Sequence, residues 1–357
     1  MAKEIKKYLD NLLNHPIPGF DCIIYKNGEE VFRHFGGYSD LENKIPMNGK
    51  ERYYIYSASK PITCTAALQL YEKGLYKLDD DLAEYMSEFK DLYIKTENGL
   101  KKAKNRIKIR DLFTMSAGFS YDLSTPNFIK LKKDTDGRCP TREAMKYLAK
   151  DNLWFEPSER WEYSLCHDVL GAFIEVISGE KFNDYLTKNI FAPLGMSNTT
   201  FLLKEGEQKS IIPIYRLDNE TREMINCTHE PHQYIIGSEY ASGGAGGVST
   251  VEDYIKYLEA MRKGDVILKK ETIDMMCVNQ FTDEQLKRYW HPDYGYGLGV
   301  RCPKGNDDIT DFGWGGAAGA YLVIDRVNNI TLYYAQHQLT SGTPTREVYN
   351  LAKYAKF

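Results

Sequence analysis

The chain of 357 residues contains no apolar run approaching the ~18 residues that a membrane-spanning helix needs. Residues Met1 to Phe20 carry an amphipathic pattern, with Ile5, Tyr8, Leu9, Leu12 and Leu13 on one helical face, and lack the continuous apolar core of an export signal. Basic charge is not in excess. Lys and Arg number 46 against 50 acidic residues, for a formal charge of −4, which argues against a nucleic-acid partner, because that would require a basic stripe. Cysteine is scattered: Cys22, Cys64, Cys139, Cys166, Cys227, Cys277 and Cys302 include no close pair with metal-site spacing. Reduced thiols and a cytoplasmic location are therefore expected. Internal repeats and low-complexity segments are absent. What remains is an ordinary globular composition, 42% apolar and 27% charged, long enough for one or two domains.

The ends of the chain read as strands and the middle as helix. Cys22–Tyr25 and Val31–Phe35 flank an Asn27-Gly28 turn, a hairpin signal. Near the other end, Ala320–Ile324 and Ile330–Ala335 flank the polar turn Asp325–Asn329. From about residue 78 to residue 230 the pattern is mostly helical with loops. A short helix is expected from Leu78–Leu82, and a strongly apolar one from Asp168 to Ile177, stopped by Gly179. After Tyr234, glycine-rich turns recur at Ser242–Gly247 and Gly295–Gly299. The expected fold is of the α/β class in its α+β form: one antiparallel sheet built from both termini, flanked by helices. The expected domains are a sheet unit of residues 1–77 and 235–357 and a mostly helical insertion of 78–234, with the active site between them.

Ser57-Ala58-Ser59-Lys60 opens an apolar helical segment that ends near Lys73-Gly74, with the glycine as its stop. At this spacing Ser57 and Lys60 share a face. A serine hydroxyl needs a base before it attacks, and an amine beside it at the positive end of a helix can share that work. Pro61 fits a first turn. The plain alternative is a serine cap followed by a solvated lysine. Trp161-Glu162-Tyr163-Ser164-Leu165 supplies a second candidate, because a phenolate beside an ammonium can serve as a general base. With 27 tyrosines in the chain, residue type alone does not single out Tyr163. The third is Gly313–Gly319, whose small residues leave backbone N–H groups free for an oxyanion, or which simply form a hairpin turn.

Together these segments resemble the serine β-lactamase and penicillin-binding-protein superfamily, class C-like in order and spacing, over nearly the whole chain. Ser57-x-x-Lys60 is similar to its first motif, Tyr163-Ser164-Leu165 to its second, and Trp314-Gly315-Gly316 stands where its Lys-Thr-Gly box falls. Asp111–Gly118, Pro193–Met196 and Gly243–Thr250 resemble further family segments. Leu165 replaces an asparagine and Trp314 a lysine, and in both respects the chain looks closest to the family VIII carboxylesterases. The resemblance implies a serine hydrolase acting through an acyl-enzyme, with Ser57, Lys60 and Tyr163 catalytic. It also implies an oxyanion hole from the backbone of Ser57 and Ala317, and Leu165, Trp314, Gly315 and Gly316 at the substrate. The expected partner is a small-molecule ester or amide, with no cofactor, no metal, no nucleic acid and no membrane span. Two alternatives stand beside the esterase: a D-amino-acid peptidase, D,D-carboxypeptidase or weak β-lactamase, and a non-catalytic binding relative. The chain has no Gly-x-Ser-x-Gly elbow. His229-Glu230-Pro231-His232 has the wrong spacing for a zinc helix. His167 is expected near the site, and His337 at the rim of the pocket without a role.

Overall fold

The structure is a computed structural model that describes residues 2–230, 232–305, 308–339 and 345–355. Its principal elements, in chain order, are α1 (Ala2–Leu12), β1 (Gly19–Lys26), β2 (Glu29–Asp40), β3 (Ile45–Pro46), α2 (Ser59–Glu72), α3 (Cys166–Ser178), α4 (Val251–Lys263), β4 (Tyr294–Tyr296), β5 (Arg301–Pro303), β6 (Asp311–Gly315), β7 (Tyr321–Asp325), β8 (Ile330–Gln336) and α5 (Arg346–Tyr354). The eight strands form one sheet in the order β4-β5-β6-β7-β8-β1-β2-β3. Every neighbouring pair in it is antiparallel. Both termini thus meet in one sheet, as the sequence predicts, with β8 beside β1.

Strand alternation divides the core. Phe20, Cys22 and Ile24 of β1 join Ile330, Leu332 and Tyr334 of β8 beneath α1 and α5. Ile23 and Tyr333, one residue out of phase, face the other side, where Tyr254 of α4 stacks on Tyr333 with centroids 4.2 Å apart. A one-residue slip would exchange these faces, so the hairpin turn matters. Asn27 and Gly28 have φ of 55° and 87°, the double left-handed turn whose twist suits a two-residue hairpin.

Helix α2 is buried from Ser59 through Leu68 with no solvated stripe, the pattern of a core helix rather than a surface one. It packs against α3, which ends at Gly179 with φ of 72°. The glycine stretch before α4 lies against both helices. A Cβ on Gly243 would sit 2.2 Å from the His167 carbonyl oxygen, so only glycine allows that approach.

Residues 78–234 depart from the expected helices and loops in two places. Tyr93–Thr96 pairs with Gly99–Lys102. Glu97-Asn98 make the turn, and Gly99, at φ 104°, is the first paired residue after it. Tyr215–Leu217 pairs with Met224–Asn226 and, in parallel, with Gln338–Leu339. That last pairing depends on a distant segment and has no local cause. The short helix expected from Leu78 begins at Leu82, because Asp81 caps it by accepting from the Ala83 amide at 2.8 Å. Among the described residues, no helix is long and apolar enough to cross a membrane.

Candidate active site

Ser57 sits in a single 3₁₀ turn, Tyr56–Ala58, that leads directly into α2. Tyr56 has φ of 46°, a left-handed conformation that is strained for an aromatic residue. Its ring is held by stacking on His232, with centroids 4.8 Å apart and planes at 14°. Lys60 follows on the same face, as the spacing requires. Its Nζ lies 3.2 Å from Ser57 Oγ, 2.7 Å from the Gly244 carbonyl oxygen and 3.4 Å from Tyr121 OH. Tyr163 approaches from the segment before α3, with its OH 2.5 Å from Ser57 Oγ. The Lys60 ammonium stands 4.5 Å from the centre of the Tyr163 ring, in cation–π range. One hydroxyl oxygen therefore meets both a phenol and an ammonium. Two nearby serines are engaged elsewhere: Ser59 Oγ accepts from the Gly247 amide at 2.9 Å, and Ser116 Oγ donates to Asp111 at 2.9 Å.

Ser57 and Tyr163 open onto a cleft of about 390 Å³. Its walls are mainly aromatic: Tyr163, Tyr234, Trp290, Trp314 and Tyr321, with His291 among them. Trp314 lies in β6 and stacks parallel to Tyr163 at 6.3 Å. Gly315, Gly316 and Ala317 continue the wall. A Cβ on Gly316 would fall 2.3 Å from the Ile55 carbonyl oxygen, so the turn after β6 presses against the chain just before Ser57. Among the described residues, neither the Ser57 nor the Ala317 amide donates a backbone hydrogen bond, and both residues line the cleft.

Leu165 requires a correction. It is 1% exposed, belongs to the main apolar core and does not line the cleft. Tyr163 faces the serine, whereas Leu165, at the start of α3, turns inward and its amide donates to the Ser120 carbonyl at 3.1 Å. His167 is buried behind the site. Burial first, and the Lys60 charge second, push its pKa down to about 3. His337 also belongs to the interior rather than the rim: it is buried between the carbonyls of Pro213 and Tyr38, at 2.6 Å and 3.1 Å. His232 packs on Tyr56, and His229 is exposed.

Several contributors escaped sequence reasoning. Tyr121 packs half-buried against Lys60, and desolvation raises its pKa well above the ordinary phenol value. Asp168 opens α3 as a buried carboxylate. Arg301, 3% exposed, forms part of the cleft wall. Its Nη2 meets Asp311 Oδ2 at 2.9 Å, and Arg346 meets the same carboxylate at 2.9 Å. Two guanidiniums on one carboxylate leave an excess positive charge. Neither Tyr121 nor Arg301 stands in a recognisable motif. The one usable signal was the glycine stretch at Ser242–Gly247, whose carbonyls hold α2: Gly243 O accepts from Thr63 at 2.7 Å and Gly244 O from Lys60.

Comparisons with known proteins bear on the family and the fold. The family model described as Beta-lactamase matches residues 2–356. Protein Rv1367c of Mycobacterium tuberculosis is 26% identical over 331 residues, covering 84% of this chain and 81% of its own. Among solved structures, EstCE1, described as a hydrolase with promiscuous acyltransferase activity, superposes with a TM-score of 0.81 at 24% identity, covering 99% of this chain and 98% of that one. The octameric penicillin-binding protein homologue from Pyrococcus abyssi does so with a TM-score of 0.75 at 22% identity, covering 98% and 76%. The sheet assembled from both termini is the fold they share, and with the family model spanning nearly its full length, the chain belongs to the Beta-lactamase family.

Proposed function

We propose that the protein is a serine hydrolase that cleaves small neutral esters through an acyl-enzyme. The observation that carries this reading is the convergence on Ser57 Oγ of Tyr163 OH at 2.5 Å and Lys60 Nζ at 3.2 Å. Tyr163, acting as a phenolate beside the Lys60 ammonium, takes the serine proton as Oγ attacks the ester carbonyl, and then delivers it to the departing alcohol. Lys60 steadies the charge on both oxygens. The amides of Ser57 and Ala317 receive the developing oxyanion. Water then attacks the acyl-enzyme carbonyl, gives its proton to Tyr163, and releases the acid as Ser57 regains its proton. The aromatic wall with Trp314 suits an apolar acyl or alcohol group. The reading keeps the two-part organisation of residues 1–77 with 235–357 around the insertion 78–234, with the cleft between them. A purely binding role fits less well, because holding a buried ammonium against a serine costs several kcal/mol of desolvation that such a role does not need.

A second reading is favoured by Arg301: an amide or peptide substrate whose free carboxylate reaches the positive excess beside Asp311. Incubation with a fluorophosphonate probe, followed by mass mapping, tests the shared chemistry. The expected adduct is on Ser57, and Ser57→Ala should lose both label and p-nitrophenyl ester hydrolysis while staying folded. An adduct on Ser59 or Ser116, or full activity in Ser57→Ala, would overturn both readings. Arg301→Met then separates them, because selective loss of anionic substrates favours the second.

A further inference from the structure

Behind the cleft, the first turn of α3 carries Asp168, which is 1% exposed and does not line the cleft. Its Oδ1 accepts from Ser242 Oγ at 2.6 Å and from Tyr240 OH at 2.9 Å. Its Oδ2 accepts no well-formed hydrogen bond among the described residues, while the backbone N–H of Gly244 lies near enough to the carboxylate to lower its pKa. That oxygen faces Gly244. A Cβ on Gly244 would lie 2.6 Å from Asp168 Oδ2, 3.3 Å from Tyr121 OH and 3.4 Å from Lys60 Nζ. Carboxylate and ammonium are therefore within about 6 Å of one another, close enough for an opposite charge to govern a protonation state.

The three hydrogen bonds of Lys60 go to a hydroxyl, a carbonyl and a phenol. None of these carries a full charge. The other titratable groups facing the pair are Cys64 on α2, His167 on α3, and Tyr121, Tyr163, Tyr234 and Tyr240 from the surrounding loops. Burial raises the Cys64 thiol and the hydroxyls of Tyr121, Tyr234 and Tyr240, and it keeps His167 neutral. Burial raises the Asp168 carboxyl as well, against the opposing pull of Ser242 and Lys60. A buried carboxylate stays costly when hydrogen bonds alone answer it, and a cation offsets that cost. Lys60 is the cation in reach.

We propose that Asp168 is a positioning residue for the Ser57 reaction: its charge holds the Lys60 ammonium, and its hydrogen bond from Ser242 fixes the turn whose Gly244 carbonyl grips that ammonium. The proposal rests on the reading of Ser57, Lys60 and Tyr163 as the reacting trio. It goes beyond that reading by assigning the trio a buried counter-charge.

Asp168→Asn removes the charge and keeps an oxygen for Ser242 and Tyr240. The expected result on p-nitrophenyl butyrate is a kcat lower by roughly tenfold or more with KM within about twofold, since Asp168 does not touch the cleft. The alkaline limb of the kcat–pH profile should move to lower pH, because the site loses a buried negative charge that favours its protonated form. Ser242→Ala keeps the charge and should leave that limb in place. A folded Asp168→Asn whose limb does not move would refute the proposal, whatever its rate. If Asp168→Asn does not fold, melting temperatures decide. Lys60→Met alone strands the carboxylate, so Lys60→Met with Asp168→Asn should fold and melt above Lys60→Met, and a double variant that melts lower or fails to fold overturns the pairing. Retained activity in Ser57→Ala would instead reject the trio itself, so the two failures are distinguishable.

Discussion

Replacing Tyr163 with Phe removes one oxygen and leaves the ring. The ring's neighbours are Tyr121 at 5.4 Å, Trp290 at 5.0 Å, Trp314 at 6.3 Å and the Lys60 ammonium at 4.5 Å. All of these contacts are available to phenylalanine. The lost oxygen makes the 2.5 Å contact with Ser57 Oγ. If the hydroxyl moves the proton, the cost is that of a missing general base, roughly a hundredfold or more in kcat, or about 2.7 kcal/mol of barrier. If it only braces the serine, the cost is one hydrogen bond in stability, about 1 kcal/mol. Spread over the unfolding entropy of a chain this long, that shifts Tm by about 2 °C or less. The two roles therefore separate in a single experiment that measures kcat on p-nitrophenyl butyrate and Tm on one preparation. The expected outcome is a large fall in kcat with a nearly unchanged Tm. A kcat within about threefold of the parent would remove Tyr163 from the mechanism and refute the proton-transfer argument.

Three further outcomes follow from other parts of the molecule. Gly316→Ala places a Cβ 2.3 Å from the Ile55 carbonyl oxygen. It should lower kcat roughly tenfold or more by forcing Ala317 away from Ser57, whereas Gly315→Ala, whose Cβ would meet only the Ala320 carbonyl at 3.0 Å, should be far milder; equal rates for the two would count against the oxyanion assignment. Burial holds the His337 pKa at about 4 in the folded protein, opposed by its two carbonyl partners, against ~6.5 when unfolded. The unfolded state therefore takes up the proton first as pH falls. The stability contribution is complete above pH ~6.5 and is lost toward pH 4 at about 1.4 kcal/mol per pH unit. His337→Gln, which takes up no proton in this range, should reduce the Tm drop between pH 7.5 and 5.0, and an unchanged drop would contradict the burial argument. Trp314 in place of a cation should make p-nitrophenyl butyrate a better substrate than nitrocefin by roughly tenfold or more in kcat/KM, and a preference for nitrocefin would reverse the esterase reading.

Local patterns carried far in this protein. Asn27-Gly28 specified a hairpin, and alternation of apolar residues along Phe20–Ile24 and Ile330–Tyr334 specified two buried faces. The spacing of Ser57 and Lys60 placed both on one side of a helix, since three residues make nearly one turn. The glycine stops at Gly74 and Gly179 also stand where the residues put them, with φ of 71° and 72°. A turn signal also stood at Asn98-Gly99, beside the Glu97-Asn98 turn of a hairpin within the region read as mostly helix and loops.

Tertiary structure decided everything that depends on distant segments meeting. Leu165 and Tyr163 lie two positions apart and have the same apparent claim on the substrate, yet one packs into the core and the other reaches the serine. No periodicity announces that difference, because it depends on where α3 docks. Arg301 has no motif, and it gains its place in the cleft wall only because β5 lies beside β6 in the sheet. Asp168 reads as the polar first turn of an apolar helix. Its nearness to Lys60 exists only because Gly244, from a segment far along the chain, is small enough to let both approach. A sequence specifies turns, faces and helix stops through neighbours a few residues apart, but charges buried within about 6 Å of each other are set by packing, and that is where this site acquired its electrostatics.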